Sequence, residues 1–362
     1  MISFVIVGFF SLATGAAPDL SGFESLPADP EPKELTRGSH YWIGNEDRMD
    51  VFYDDVKDKG GVHIGVGAEQ NWLLAGWSKP QVAVMMDFDQ SIVDLQRVYF
   101  VAFATAATKE EFKALWLDKT RAGLRAGVMQ LPKGLVRSGA IEALKVSRWS
   151  IERRFAKLEE QMTARGLSCF LNDDAQYAWL HELVTTGRAF SVRGDLTANK
   201  TVQAIAAAAK KAALPVRTLY LSNAEQYFMY KKSTRENFAS LPFDDDSVVL
   251  RTHGWVSLSY AKDGNSYHYG VQSGPSFKAF AADPLVWASR QILLWAPADS
   301  EKGTSKETSK SPAAAKASWE ARVTAGKAAK ASARPRPATP RATATAPTST
   351  ATTAPAPAPA AP

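Results

Sequence analysis

The sequence predicts an α/β protein, a three-layer sandwich whose mostly parallel sheet lies between two layers of helices. Three observations predict it. Apolar runs of strand length alternate with stretches of helical periodicity from residue 49 to residue 253. One run, QVAVMMDF at 81–88, is apolar almost throughout, as a strand covered on both faces must be. Another, VHIGV at 62–66, leads directly into a turn with Gly65 and Gly67, the pattern of a strand end delivered to a helix.

The elements follow in order. Met49, Phe52, Tyr53 and Val56 stand at helical spacing, and Gly60–Gly61 stops the helix before the first strand. A short helix after Gly67 ends before Pro80, and the strand at 81–88 is followed by a helix at about 91–106. Residues 108–187 are charged and helical, an insertion in the alternation. Within it Leu144, Ile151, Phe155, Leu158 and Met162 share one face, and DDAQYAWLHELVTTG begins with a capping Asp and ends in Gly. AFSVRGDL then reads as a strand, 197–212 as an Ala-rich helix, VRTLYLSN as a strand and DSVVLRTHG as a fifth. WVSLSY-AKDGN-SYHYGVQ alternates with period two around Asp263-Gly264 and predicts a closing antiparallel hairpin. Strands and helices in this order are Rossmann-like.

Composition sets the boundaries. Residues 1–16 form an uncharged apolar run ending in small residues, too short for a membrane span, which predicts a signal peptide and export to the periplasm or medium. No Lys or Arg precedes the run; a buried strand or an uncleaved anchor is the alternative. Residues 17–38, with proline at 18, 27, 30 and 32, read as a linker into a domain at 39–297. From 298 to 362 the composition collapses to Ala, Pro, Thr, Ser and Lys, and the expectation is a disordered tail. The chain holds 43 basic and 37 acidic residues; from Asp299 onward there are ten and four. That end carries the whole net charge of +6, and the rest is balanced at 33 of each. Nucleic-acid binding by the domain is therefore not expected, whereas the tail suits weak contact with anionic envelope polymers. The single Cys169 excludes an intrachain disulfide.

In an open α/β sheet, ligands bind outside the carboxyl ends of the strands. The first such end offers Gly65, Gly67 and Gln70, with glycine letting the backbone lie against a ligand. The second offers Asp87, twenty residues beyond Gly67, with Asp89 just after it, where a ribose hydroxyl pair would be held. The third carries Asp195, placed to meet an adenine edge, and the fourth Asn223 and Glu225, placed to orient an acceptor. These six acidic and polar groups with the two glycines predict a pocket for a small nucleotide-like ligand. The plainer reading makes the glycines turn residues, Asp195 and Asn223 helix caps, and Glu225 a first-turn acid. The five histidines fall at no zinc-binding spacing and GVQSG is no nucleophile elbow, so no metal and no hydrolase are expected.

GVHIGVGAEQN, the strand ending in Asp87, and LYLSNAEQY together resemble the class I S-adenosylmethionine methyltransferases. More narrowly, they resemble a family of uncharacterised bacterial proteins whose domain is described as methyltransferase-like. The resemblance covers about residues 40–285 and implies a Rossmann-like fold and S-adenosylmethionine as cofactor. His63 and Ile64 stand where those methyltransferases usually place an acid in the first strand, and Gln70 stands where a third glycine would be. Two functions follow as expectations. The first is an exported, non-catalytic ligand-binding or envelope protein on this scaffold. The alternative is an S-adenosylmethionine-dependent methyltransferase, with Asn223 and Glu225 at the acceptor.

Overall fold

A computed structural model describes residues 18–117, 122–255, 257–264 and 266–332; the segment read as a signal peptide lies outside them. Two units divide the chain, Met1–Trp319 and Glu320–Pro362. In the second, the described residues 320–332 are helical. The first holds the sheet.

The first unit begins with α1 (Ser21–Glu24), α2 (Tyr53–Val56), β1 (Val62–Val66), α3 (Gln70–Ser78), β2 (Val82–Asp87) and α4 (Gln90–Thr105). Four helices follow before the next strand: α5 (Lys109–Leu117), α6 (Ala122–Val128), α7 (Leu135–Ala164) and α8 (Asp174–Thr185). The alternation resumes with β3 (Ala189–Arg193), α9 (Thr201–Lys211), β4 (Val216–Tyr220), α10 (Lys232–Ser240) and β5 (Val248–His253). The chain then forms β6 (His268–Ser273), α11 (Gly274–Ala282), α12 (Ser289–Trp295), β7 (Ala298–Asp299), β8 (Thr304–Glu307) and α13 (Pro312–Ser332).

The strands lie in one sheet in the order β3-β2-β1-β4-β5-β6-β8-β7, parallel from β3 to β5. The predicted Rossmann-like class is therefore what the chain forms. Side chains alternate across the pleat, and each face has its own core. In β2, Val82, Val84 and Met86 join the cluster under α9–α12, while Ala83 and Met85 join the cluster under α3–α8. All six residues of β2 and all five of β1 are buried, as the apolar runs require. The helical insertion encloses a stack of aromatic rings, with Phe103 and Phe112 centroids 4.5 Å apart and Trp116, Phe155, Phe170 and Tyr177 around them. Caps fix several helix starts: Asp89 accepts from the Ser91 N–H at 2.9 Å, and Asp173 from that of Gln176 at 2.9 Å.

Three expectations are corrected. The antiparallel pair exists, but its first arm is β5, with His253 opposite His268; the described residues between them form no strand. The domain does not end at 297, because β8 pairs in parallel with β6, from Tyr269↔Thr304 to Gln272↔Glu307. That strand reads TSKE, with no apolar residue to betray it; what it buries is Ser305 and Glu307. The segment 18–38 is no linker either. Phe23 is buried and stacks on Phe190 with centroids 5.6 Å apart. The buried Asp29 accepts from the backbone N–H groups of Asp195 at 3.0 Å and Lys200 at 3.2 Å. A proline-rich stretch can thus be ordered through side-chain hydrogen bonds that composition does not register.

Candidate functional site

β1 lies between β2 and β4, so the chain leaves β1 toward one edge of the sheet and later returns to its other side. Strand ends on either side of such a switch point diverge and open a crevice. Here the crevice is a cavity of about 320 Å³ at the carboxyl ends of β1, β2, β3 and β4. That is at the small end of the range for ligand pockets, roughly 300–1,000 Å³. Gly67, Gln70, Asp87, Asp89, Asp195 and Asn223 all line it. Its outer wall comes from the N-terminal segment, through residues such as Tyr41, Ile43 and Asn45.

The glycine turn is built from both of its sides. Gly67 has φ +102°, in the left-handed region, and a Cβ there would lie 2.7 Å from Nε2 of Gln70. The Gln70 side chain folds back so that its Oε1 accepts from the Ala68 N–H at 3.1 Å. From α4, Gln96 donates through Nε2 to the carbonyls of Gly67 at 2.8 Å and Ala68 at 3.2 Å. Trp72 donates to Gln96 Oε1 at 2.9 Å and holds that clamp in place. Gly65 has a different role from the one expected of it. It sits inside β1 on the α3 face, and a Cβ would fall 1.8 Å from Oδ1 of Asn71 and 2.8 Å from Nε2 of His63. Gly65 lets α3 lie close to the sheet and does not line the crevice.

The carboxylates differ in how far they are already occupied. Asp87 ends β2 and is 8% exposed. Burial pushes its carboxyl up to about 7; the backbone N–H of Asp89, 2.9 Å away, pulls it down, the Asp89 charge pushes it up, and the Gly67 and Phe88 N–H groups pull it down. Asp89 caps α4 and accepts from Nδ1 of His40 at 2.7 Å. Asp195 accepts from both the N–H and the hydroxyl of Thr197, at 2.7 and 2.8 Å. Its capping role and its place in the lining therefore coexist.

Asn223 and Glu225, read together in the sequence, part company. Asn223 lines the crevice and donates through Nδ2 to the Tyr267 hydroxyl at 2.9 Å, which also accepts from Asn45 at 2.7 Å. Glu225 turns away. Its carboxylate is buried, accepts from Nε of Arg251 at 2.6 Å and from the Tyr230 hydroxyl, and takes no part in the crevice lining. A carboxylate bound by a buried guanidinium is a structural ion pair, and the expected acceptor role for Glu225 is corrected on that ground.

Sequence reasoning missed a second set of groups. Glu69, inside the glycine turn, is fully buried and accepts from Nε of Arg154 on α7 at 2.6 Å and from the Gly44 N–H at 2.8 Å. Arg154 also donates to the Glu46 carbonyl at 2.8 Å. Glu46 in turn accepts from Ser222 and Thr252 at the ends of β4 and β5. Segment 44–46 is thereby tied to the turn, to the helical insertion and to two strand ends. The position of Glu69 in GVGAEQ was the only sequence signal for this, since its partner lies 85 residues away.

A family model described as domain of unknown function DUF7790 matches residues 41–309. The chain belongs to that family. The family's span starts at the crevice wall and runs past β8, so it takes in the strand that composition placed in the tail. No curated protein matches the chain. Among the described residues, no helix is long and apolar enough to cross a membrane, and no group of three or more His, Cys, Asp and Glu is placed to hold a metal.

The charge of this crevice restricts what the family member can hold. Glu34, Asp87, Asp89 and Asp195 line it, and among the described residues no Lys or Arg does. Phosphate-binding pockets depend on cations or on helix N-termini free of acids. This one would repel a pyrophosphate. A neutral or cationic group fits.

Proposed function

We propose that the crevice binds a phosphate-free nucleoside that carries positive charge, and that S-adenosylmethionine is the compound of this class it holds. The observation that carries the reading is the lining: four carboxylates and, among the described residues, no Lys or Arg, with Asp87 at the end of the strand beside the glycine turn. A ribose diol donates two hydrogen bonds to such a carboxylate, and a sulfonium gains from the acidic surroundings. The Gly67 backbone provides an approach free of side chains.

Melting the whole chain with and without S-adenosylmethionine tests it. A ligand at about a hundred times its dissociation constant adds roughly 2.7 kcal/mol. In a domain of this size that raises Tm by about 5–10 °C. Asp87→Ala should abolish most of the shift. An unchanged Tm at millimolar ligand would refute the reading.

A catalytic version, in which the bound methyl is transferred, is favoured by one further observation. Thr197, Tyr227 and Phe228 line both the crevice and a second groove, which gives an acceptor a place beside the methyl donor. In-line positioning is most of what methyl transfer requires, so the lack of a free acid–base pair at Asn223 does not oppose it. The acidic, apolar-walled crevice also suits a binding protein, and formation of S-adenosylhomocysteine together with labelled product, on incubation with methyl-labelled donor and a cell extract that supplies the acceptor, separates the two.

A further inference from the structure

Beyond the wall formed by Thr197, Tyr227 and Phe228 lies the second groove, of about 700 Å³. Its character is opposite to that of the crevice. Trp255 and Trp287 form two of its sides, and Met229 is 59% exposed at its edge. The guanidinium of Arg290 lies over both indoles, 4.2 Å from the Trp287 centroid and 5.5 Å from that of Trp255. Stacking holds the guanidinium plane in one orientation but uses none of its five N–H donors. Among the described residues no carboxylate and no hydrogen-bond acceptor meets it. Lys231, also in the lining, has no ion pair among them either.

Two more groups complete the groove. The one carboxylate in the lining, Glu225, is neutralised by Arg251. His253 is 7% exposed, and its Nδ1 is buried without a hydrogen-bond partner. Burial and the neighbouring Arg251 push its imidazole down to about 4, so the ring is neutral and adds no charge to the groove.

We propose that this groove is a binding site for a planar aromatic carboxylate, with the carboxylate on Arg290 and Lys231 and the ring against Trp255 and Trp287. The stacked guanidinium supplies a fork whose two parallel N–H groups match a carboxylate. The guanidinium already lies over both indoles, so the ligand's ring packs on the indole surface left exposed beside it, where Trp287 is 37% exposed. Such a ligand would set one negative charge between the two cations and cover part of the exposed indole surface. This site stands whether or not the crevice holds S-adenosylmethionine.

The test uses the whole chain and three probes: 2-naphthoate, its neutral isostere 2-naphthamide, and cyclohexanecarboxylate, which keeps the charge and lacks the planar ring. Binding is read by calorimetry and by quenching of tryptophan fluorescence. The naphthoate should bind at least about tenfold more tightly than either analogue, because a charge-assisted hydrogen bond contributes roughly 1.5–3 kcal/mol. Arg290→Gln should remove that preference for the anion, and Trp287→Ala the preference for the planar ring. Both side chains are at least partly exposed, and an unchanged melting temperature of the Gln variant verifies that it folds. Equal binding of naphthoate and naphthamide, undiminished binding in Arg290→Gln, or no naphthoate binding at millimolar concentration would each overturn the proposal. None of these outcomes involves the crevice, so they are distinct from a failure to bind S-adenosylmethionine.

Discussion

The crevice and the groove share three side chains and differ in sign. Among the described residues, one is lined by four carboxylates and no Lys or Arg, the other by Arg290 and Lys231 with a single carboxylate, Glu225, already paired. Both sit at the same end of the same sheet. The difference comes from which segments reach each hollow. The crevice collects the ends of β1 to β4, where carboxylates serve as turn and helix caps. The groove collects the stretch between β4 and α10, the end of β5 with Trp255, and the start of α12, where Arg290 stacks on two indoles. The charge of each lining is therefore set locally, by capping on one side and stacking on the other.

The comparison breaks most severely if the acidic side loses its outer wall. Arg154 and Glu69 are 2% and 0% exposed, and removing one member of such a pair leaves the other buried and unpaired. Arg154→Ala should cost about 3–5 kcal/mol. At roughly 2–4 °C per kcal/mol, Tm falls by on the order of 10 °C in a calorimetric scan. A loss of only a degree or two would show that segment 44–46 is held by Glu46 alone.

The next effect concerns the ligand. Pyrophosphate placed among Asp87, Asp89 and Asp195 meets like charge, which costs several kcal/mol. S-adenosylmethionine should bind on the order of a hundredfold more tightly than NAD, as measured by calorimetry under the same salt. Comparable affinities would mean that the backbone N–H groups around Gly67 outweigh the carboxylates.

A pH series sharpens the same point. Asp87 is pushed up to about 7 by burial, above its unfolded value. The folded state therefore binds this proton more tightly than the unfolded chain does. The empty protein loses stability as pH rises from the unfolded value near 4 towards 7, and the loss is complete above it. A ribose diol donates to the ionised carboxylate, so ligand affinity moves the other way. Between pH 6 and pH 8 it should rise by about tenfold, following the ionised fraction. Asp87→Asn should flatten both profiles, and a wild-type affinity that falls with pH would show that the protonated carboxyl is the binding form.

How much of this the sequence disclosed depends on distance along the chain. Asp87, Gly67 and Gln70 were legible because each sits at the junction of one apolar run with one polar stretch, a local signal. Gly65 looked identical to Gly67, and only packing separates them: one faces Asn71, the other opens on the crevice. Glu225 was read as a neighbour of Asn223, whereas its fate is decided by Arg251, 26 residues later. The strap at 18–38 and β8 were hidden for the same reason. Asp29 and Ser305 are buried by hydrogen bonds to distant partners, and nothing in their own neighbourhood is apolar enough to announce it.

Asp195 gives the smallest and most discriminating case. It faces the crevice, yet its carboxylate is already committed to the Thr197 N–H and hydroxyl. If capping is its whole role, Asp195→Ala costs about 1 kcal/mol of stability. Tm then falls by about 2–4 °C. Affinity for S-adenosylmethionine changes by less than the same free energy, because the other three carboxylates remain. If Asp195 also holds the ligand, the loss of affinity exceeds about tenfold while the stability cost stays the same. Measuring both quantities on one variant decides whether the acidic lining acts as a set or only through Asp87, since both cap bonds fall on Oδ1 while a ligand contact draws on the same carboxylate, and the two report in different experiments.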